Sequence, residues 1–145
     1  ALIMLVRLLY ASRAAETLTP EMVDAILAQS RTHNPEHGIT GILCYGGKIF
    51  MQVLEGSRDE VCALYNMIVR DTRHSDVQLL SYEEIAERRF AGWTMGLVNL
   101  AKTNPSLILK YAEKAELDPY RCSGKASMAL LEELMATASV LGRAG

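Results

Sequence analysis

Several side chains that can form hydrogen bonds or transfer an electron lie inside otherwise apolar segments. Tyr10 ends an apolar run, Asn34 ends a helical pattern, and Gln52 lies in the middle of a third run. Tyrosine offers a hydroxyl group, whereas asparagine and glutamine each offer an amide donor and an amide acceptor. Such a set suits a flat heteroaromatic ligand whose edge alternates N–H, C=O and ring nitrogen. Trp93 and Met95, two residues apart on a later strand pattern, are predicted to share one face.

The same residues also have a purely structural interpretation. In that interpretation Gln52 is a core amide with local partners, Asn34 caps its helix, and Trp93 and Met95 are ordinary core residues. The residue types alone leave both interpretations open.

The motifs of several enzyme classes are missing from the sequence. It contains no H-E-x-x-H, C-x-x-C, G-x-S-x-G or P-loop pattern. Its three cysteines, Cys44, Cys62 and Cys122, are far apart and lack ligand spacing, which argues against a metal site. We expect them to be reduced thiols.

Composition narrows the class of protein further. The chain has 145 residues, is 50% hydrophobic and 22% charged, and carries a formal net charge of −2. This balance disfavours the basic surface that nucleic acids require. No apolar run approaches the ~18 residues of a membrane span, and no signal-peptide pattern is present. We therefore expect a cytoplasmic protein that binds neither nucleic acid nor membrane.

Hydrophobic periodicity predicts the order β-α-β-β-α-β-β. The first helix begins at Pro20 behind the N-cap Thr19 and should end by Asn34, because Pro35 disfavours a helical residue before it. Ser57 opens the second helix with an S-x-x-E capping box. Strands are expected over residues 3–10, 39–45, 49–54, 77–82 (with an extension to 85) and 94–100. This order indicates a ferredoxin-like α+β fold, with a five-stranded mixed sheet and two helices on one face.

The last part of the chain has a different pattern. Residues 1–100 are predicted to form the sheet domain, and residues 101–145 a helical extension with helices near 105–116 and 125–141. Both helices are amphipathic, so their apolar sides must cover the open face of the sheet or contact another subunit.

At this point the chain resembles the BLUF family, which senses blue light using FAD. The matching stretches are L-Y-A-S at 9–12, H-N at 33–34, G-I-T-G-I-L at 38–43, F-M-Q-V-L-E-G at 50–56, R-D-T-R-H at 70–74 and R-R-F-A-G-W-T-M at 88–95. Each is weak alone, but together and in family order they are specific. The resemblance implies a βαββαββ fold that holds the flavin between two helices, in agreement with the predicted order.

The resemblance also implies roles for individual residues. Tyr10 would donate an electron and a proton, Gln52 would bridge the Tyr10 hydroxyl and the flavin, and Asn34 would hold the C4=O/N3–H edge. Trp93 and Met95 would relay the signal through the fifth strand. The other cofactor-binding residues that it implies, besides Tyr10, Asn34, Gln52 and Met95, are Ser12, Ile39, Arg73 and His74.

The implied activity is that of a photoreceptor and not of an enzyme. Light would drive transfer from Tyr10 to a non-covalent flavin, and a rearranged Gln52 would shift the absorption to the red. The cofactor would be FAD, with FMN or riboflavin as alternatives. The resemblance to short members implies a separate protein partner and a homo-oligomer, from dimer to decamer. Two other hypotheses stay open: a small flavin-dependent redox enzyme and a ligand-free interaction module.

Overall fold

The computed structural model describes residues 4–116, 118–137 and, for the backbone alone, 141–143. The strands are β1 Leu5–Ala14, β2 Thr40–Gly46, β3 Ile49–Ser57, β4 His74–Ile85, β5 Trp93–Asn99 and β6 Leu141–Arg143. The helices are α1 Pro20–Glu36, α2 Arg58–Arg70, α3 Pro105–Leu109 and α4 Gly124–Ala136, with a 3-10 turn over Leu100–Lys102.

The sheet brings the two most informative residues side by side. Its strand order is β4-β1-β3-β2-β5-β6, with β2 and β5 parallel and every other neighbouring pair antiparallel. In the register of β1 and β3, Tyr10 lies opposite Gln52. The ferredoxin-like α+β arrangement is confirmed, and the short strand β6 adds to the predicted five at the edge next to β5.

The helix starts agree with their sequence signals. The Thr19 side chain accepts a hydrogen bond from the Met22 N–H, and the Ser57 hydroxyl accepts one from the Glu60 N–H. The predicted end of α1 at Asn34 is wrong by two residues, since Pro35 lies inside the helix. Pro35 has no N–H to donate to the Arg31 carbonyl, so the last turn lacks one helical hydrogen bond, and the helix ends one residue later.

The C-terminal helices are shorter than the sequence predicts. Helix α3 ends at Leu109 instead of near residue 116, because Tyr111 and Ala112 turn to pack against the core. Tertiary contacts of this kind commonly override helix propensity. Helix α4 ends at Ala136 instead of 141, and Leu141 already belongs to β6. Residues 138–140 of that predicted helix lie outside the described residues.

The sheet is covered on both faces by this one chain. On one face, α1 and α2 pack over a cluster that includes Tyr10 and Met95. On the other, the α4 residues Leu130, Leu131 and Leu134 are fully buried in a separate cluster. Of the two fates considered for the last helix, the structure therefore shows α4 covering the open face of the sheet.

A buried ion pair connects three strands with the loop before β5. Arg7 on β1 lies opposite Glu55 on β3, and its Nε donates to the Glu55 carboxylate at 2.8 Å. The other arm of Arg7 donates to Glu83 at 2.7 Å. The same Glu55 carboxylate accepts the backbone N–H groups of Arg89 at 3.0 Å and Phe90 at 2.7 Å. Glu55 thereby fixes the loop from which Trp93 and β5 begin.

Replacing Glu55 with Leu is expected to lower the free energy of unfolding by about 3–5 kcal/mol, as measured by urea denaturation. The substitution leaves the Nε–H of Arg7 and the Phe90 N–H buried without their acceptor. Glu83→Gln is the matched control, because the Glu83 side chain is 51% exposed and that of Glu55 is 0% exposed. The control should cost at most about 1 kcal/mol. Equal losses in both variants would contradict this assignment.

Candidate functional site

A cavity of about 360 Å³ lies between α1, α2 and the sheet. This volume is within the usual range of small-molecule sites. Five of the residues singled out from the sequence line it: Tyr10, Asn34, Gln52, Arg73 and His74. Ser12, Ile39 and Met95 are buried but are not among the residues that line it. The sheet floor and the facing sides of both helices therefore bring together one group of polar side chains around one cavity.

Tyr10, Gln52 and Met95 form a buried chain of hydrogen bonds at the cavity floor. The Tyr10 hydroxyl donates to Gln52 Oε1 at 2.5 Å, and Gln52 Nε2 lies 3.3 Å from Met95 Sδ. The chain runs from β1 through β3 to β5. Tyr10 and Gln52 line the cavity while all three side chains are buried.

The Gln52 amide has two orientations with different partners. In the observed one, its oxygen accepts from Tyr10 and its NH₂ group donates to the Met95 sulfur. If the amide rotates by half a turn, its NH₂ group faces the Tyr10 oxygen and its own oxygen faces the sulfur. Thioether sulfur accepts hydrogen bonds but does not donate them. The Met95 contact therefore favours the observed orientation, by no more than one weak hydrogen bond.

Burial controls the protonation of Tyr10. Desolvation, followed by the nearby Tyr65 and the Asp71 carboxylate, raises the pKa of the Tyr10 hydroxyl well above its usual value. The two tyrosine rings lie 5.8 Å apart between centroids. Tyr10 consequently stays a neutral hydrogen-bond donor across the physiological pH range, and Gln52 Oε1 is its acceptor.

Asn34 presents an unused donor to the cavity. Its side chain is 2% exposed and lines the cavity, and Nδ2 has no hydrogen-bond partner among the described residues. A buried amide N–H without a partner is costly, so it indicates a ligand acceptor at this position. The backbone oxygen of Asn34 accepts from His37 and Ile39, which fixes the end of α1.

At the far end of the cavity, β1 is tied to the start of β4. His74 Nδ1 lies 2.9 Å from the hydroxyl of the buried Ser12, and its Nε2 lies 2.5 Å from the Ile68 carbonyl. Arg73 forms an ion pair with Asp71, which lowers the pKa of that carboxyl to about 2. The rim of the cavity thus holds the imidazole of His74, fixed by two hydrogen bonds, and the exposed guanidinium of Arg73, whose charge is balanced by Asp71.

Trp93 and Met95 do not share a face as predicted. Met95 packs with Tyr10 on the α1 and α2 side, whereas Trp93 packs with the α4 residues on the other side. Trp93 is the first residue of β5, and the pairing of this strand with β6 is irregular between Trp93 and Leu97. Simple alternation of side chains therefore fails at this end of the strand.

Sequence reasoning missed two contributions to the site. Asp71 lines the cavity, and Arg31 on α1 donates to the Met95 backbone oxygen at 3.2 Å. The position of Arg31, one turn before Asn34, was the available signal. His33, the first residue of the H-N stretch at 33–34, lines the cavity and stacks on His37, with 4.2 Å between the ring centroids.

The described part of the chain holds neither a cluster of metal-ligating side chains nor a helix that could cross a bilayer. No group of three or more His, Cys, Asp or Glu side chains there could hold a metal ion. No helix there combines the length and apolar character needed to cross a bilayer.

Comparison with known proteins places this geometry in a family. The chain is 36% identical over 92 residues to the photoactivated adenylate cyclase subunit beta of Euglena longa, covering 63% of this chain and 11% of that protein. It therefore spans about a tenth of the length of such cyclase relatives.

Solved structures agree in fold over nearly the whole chain. The photo-activated state of BlsA superposes with a TM-score of 0.79 at 31% identity, covering 91% of this chain and 95% of BlsA. Klebsiella pneumoniae BlrP1, solved with FMN and cyclic diGMP, gives a TM-score of 0.68 at 30% identity, covering 93% of this chain and 35% of BlrP1. The family model described as sensors of blue light using FAD matches residues 5–96. The chain belongs to the BLUF family of flavin-binding blue-light sensors.

Proposed function

We propose that the chain signals blue light through a change in the hydrogen bonds of Gln52 beside a non-covalent flavin. The observation that carries this proposal is the buried Tyr10–Gln52–Met95 chain at the floor of the cavity. When bound, the flavin supplies a light-excited ring that is a strong one-electron oxidant. The cavity-lining residues in the described part of the chain include no cysteine, which favours chemistry without a covalent adduct.

Tyr10 is the electron and proton donor in this proposal. It would give up one electron to the bound flavin, and its proton would leave along the 2.5 Å hydrogen bond to Gln52. Both would later return to Tyr10, so the cycle would have no net redox change. Gln52 would end in a different arrangement, by rotation or tautomerisation, and a stronger hydrogen bond from it to the flavin would shift the absorption to the red.

The remaining polar groups would hold the cofactor. Asn34 Nδ2 is free to donate to the C4=O/N3–H edge. Arg73 at the exposed rim suits ring carbonyl or phosphate oxygens, which guanidinium groups bind well. The family description supports FAD, and FMN or riboflavin are the alternatives. Ser12 acts by holding His74, and Ile39 by packing in the same cluster as Tyr10.

The output would leave the site through β5. Met95 contacts Gln52 on one face of the sheet, and Trp93 packs with α4 on the other face. Strand β5 therefore connects the cavity side of the sheet with the α4 side. A shift in the Gln52 arrangement would bias the packing of α4 in the extension over residues 101–145, outside the sensor domain over residues 1–100. We propose a cytoplasmic homo-oligomer that contacts a separate protein partner.

The test of this function is the light-minus-dark absorption spectrum of the purified protein. A yellow protein whose flavin bands move to the red under blue light, then recover in darkness, is the expected result. A bound flavin that NAD(P)H bleaches, with no red shift under light, would instead identify a redox enzyme. The comparisons give no support to that alternative. A colourless protein that FAD cannot reconstitute would contradict both.

A further inference from the structure

Met95 lies where the regular pairing of β5 begins. The ladder between β5 and β2 pairs Gly96 to Asn99 but does not include Met95. The ladder between β5 and β6 pairs Trp93 and Leu97 and is irregular between them. Met95 therefore directly precedes the regular ladder with β2 and lies in the irregular part of the pairing with β6.

Arg31 supplies a hydrogen bond at this point. Its guanidinium, from the last turns of α1, donates to the Met95 carbonyl at 3.2 Å. Within the described residues Arg31 forms no ion pair with a carboxylate, so this backbone oxygen is its acceptor. A charged donor is worth more than a neutral one in such a partly buried hydrogen bond.

The side chain of the same methionine meets Gln52. Met95 is fully buried, and its sulfur accepts from Gln52 Nε2 at 3.3 Å. That contact favours the observed orientation of the Gln52 amide, together with the hydrogen bond from Tyr10, because the sulfur cannot donate. A shift of the Met95 backbone moves the sulfur and changes the relative stability of the two orientations.

We propose that Arg31 is a positioning residue for Gln52: by holding the Met95 carbonyl, it keeps the sulfur where the amide can donate to it. Arg31 does not line the cavity and acts only through Met95. It lies one turn before Asn34, so α1 supplies both a residue that lines the cavity and a donor to the Met95 carbonyl. The consequence for the light response rests on the proposed function, whereas the effect on Met95 does not.

The experiment compares Arg31→Met, which keeps the aliphatic stem, with Arg31→Lys, which keeps the charge. Arg121→Met is the matched control, because Arg121 is a highly exposed cation after α3 whose nearest acid is Asp118. The probe is the methyl NMR resonance of Met95 in flavin-free protein labelled at the methionine methyl groups, assigned with Met95→Leu. The dark-recovery rate of flavin-loaded protein is the second readout.

In Arg31→Met, the Met95 resonance should move or broaden, and in Arg31→Lys it should lie closer to the native position. Arg121→Met should leave it unchanged. Recovery in the dark should slow about fivefold in Arg31→Met, which corresponds to about 1 kcal/mol and to one hydrogen bond.

A native Met95 resonance in Arg31→Met, or an equal shift in Arg121→Met, would overturn the proposal. If Arg31→Met does not fold, the same criterion is applied to Arg31→Gln, which removes the charge and shortens the side chain. The flavin-free resonance decides the role of Arg31 independently. If the flavin-loaded native protein shows no light-induced red shift, the proposed function is contradicted, but the conclusion about Arg31 from the flavin-free Met95 resonance is unaffected.

Discussion

Tyr10→Phe is expected to bind flavin and to show no light-induced red shift. The ring that packs against the cavity is kept, while the hydroxyl that donates to Gln52 Oε1 is lost. Phenylalanine is also far harder to oxidise than tyrosine, so the variant can donate neither the electron nor the proton. The measurement is the light-minus-dark spectrum of the reconstituted variant, whose difference signal should fall to the baseline.

Tyr65→Phe is the matched control for that substitution. The Tyr65 ring lies 5.8 Å from the Tyr10 ring, and its side chain is only partly buried. Removing its hydroxyl leaves the Tyr10–Gln52 hydrogen bond intact, so its red shift should persist. A native red shift in Tyr10→Phe, or its loss in both variants, would refute the assignment of Tyr10 as the donor. Thermal unfolding should show a modest loss for Tyr10→Phe, about 1–3 kcal/mol, because the Gln52 acceptor stays buried.

The proximity of Tyr10 and Gln52 could be predicted because it depends on strand order. Alternating and continuous apolar runs identify β1 and β3, and the ferredoxin-like order makes these strands neighbours. The Gly46-Gly47 turn then sets where β3 begins, and Gly47 adopts a φ of +59°. Helix caps at Thr19 and Ser57 fix the two helices that cover the site. Local signals and global topology agree here, as they do in minimally frustrated sequences.

The features that sequence reasoning missed depend on tertiary contacts and not on local residue patterns. Trp93 leaves the face of Met95 because β5 begins irregularly, and side-chain alternation assumes a regular strand. Arg31 donates to the backbone carbonyl of Met95, a group that every residue has, so the sequence does not single out Met95 as its partner. Helix α3 stops early because Tyr111 packs inward, which depends on the position of the sheet beneath it. Each of these features is set by tertiary packing and not by residue type.

In the proposed function, Gln52 would give the Tyr10 site its two states. In the observed orientation the amide accepts from the Tyr10 hydroxyl and donates to the Met95 sulfur. A population shift requires a second arrangement of similar free energy. Rotation of the amide replaces the O–H···O bond from Tyr10 by an N–H···O bond to Tyr10 and removes the N–H···S contact with Met95. The amide also lies on the central strand β3, three residues before Glu55, whose carboxylate holds the loop leading to β5. A rearranged Gln52 can therefore bias β5 from both Met95 and β3.

Gln52→Leu is accordingly expected to retain flavin but to lose the red shift completely. Leucine fills a similar volume at the cavity floor, yet it offers no amide that can change partners between Tyr10 and Met95. Electron transfer from Tyr10 should still quench flavin fluorescence, because the tyrosine remains beside the cavity. The matched control is Gln29→Leu, which removes another cavity-lining amide, on α1, that forms no hydrogen bond with Tyr10. Light-minus-dark spectra of both variants decide the matter: a full red shift in Gln52→Leu would show that the amide is not the switching group.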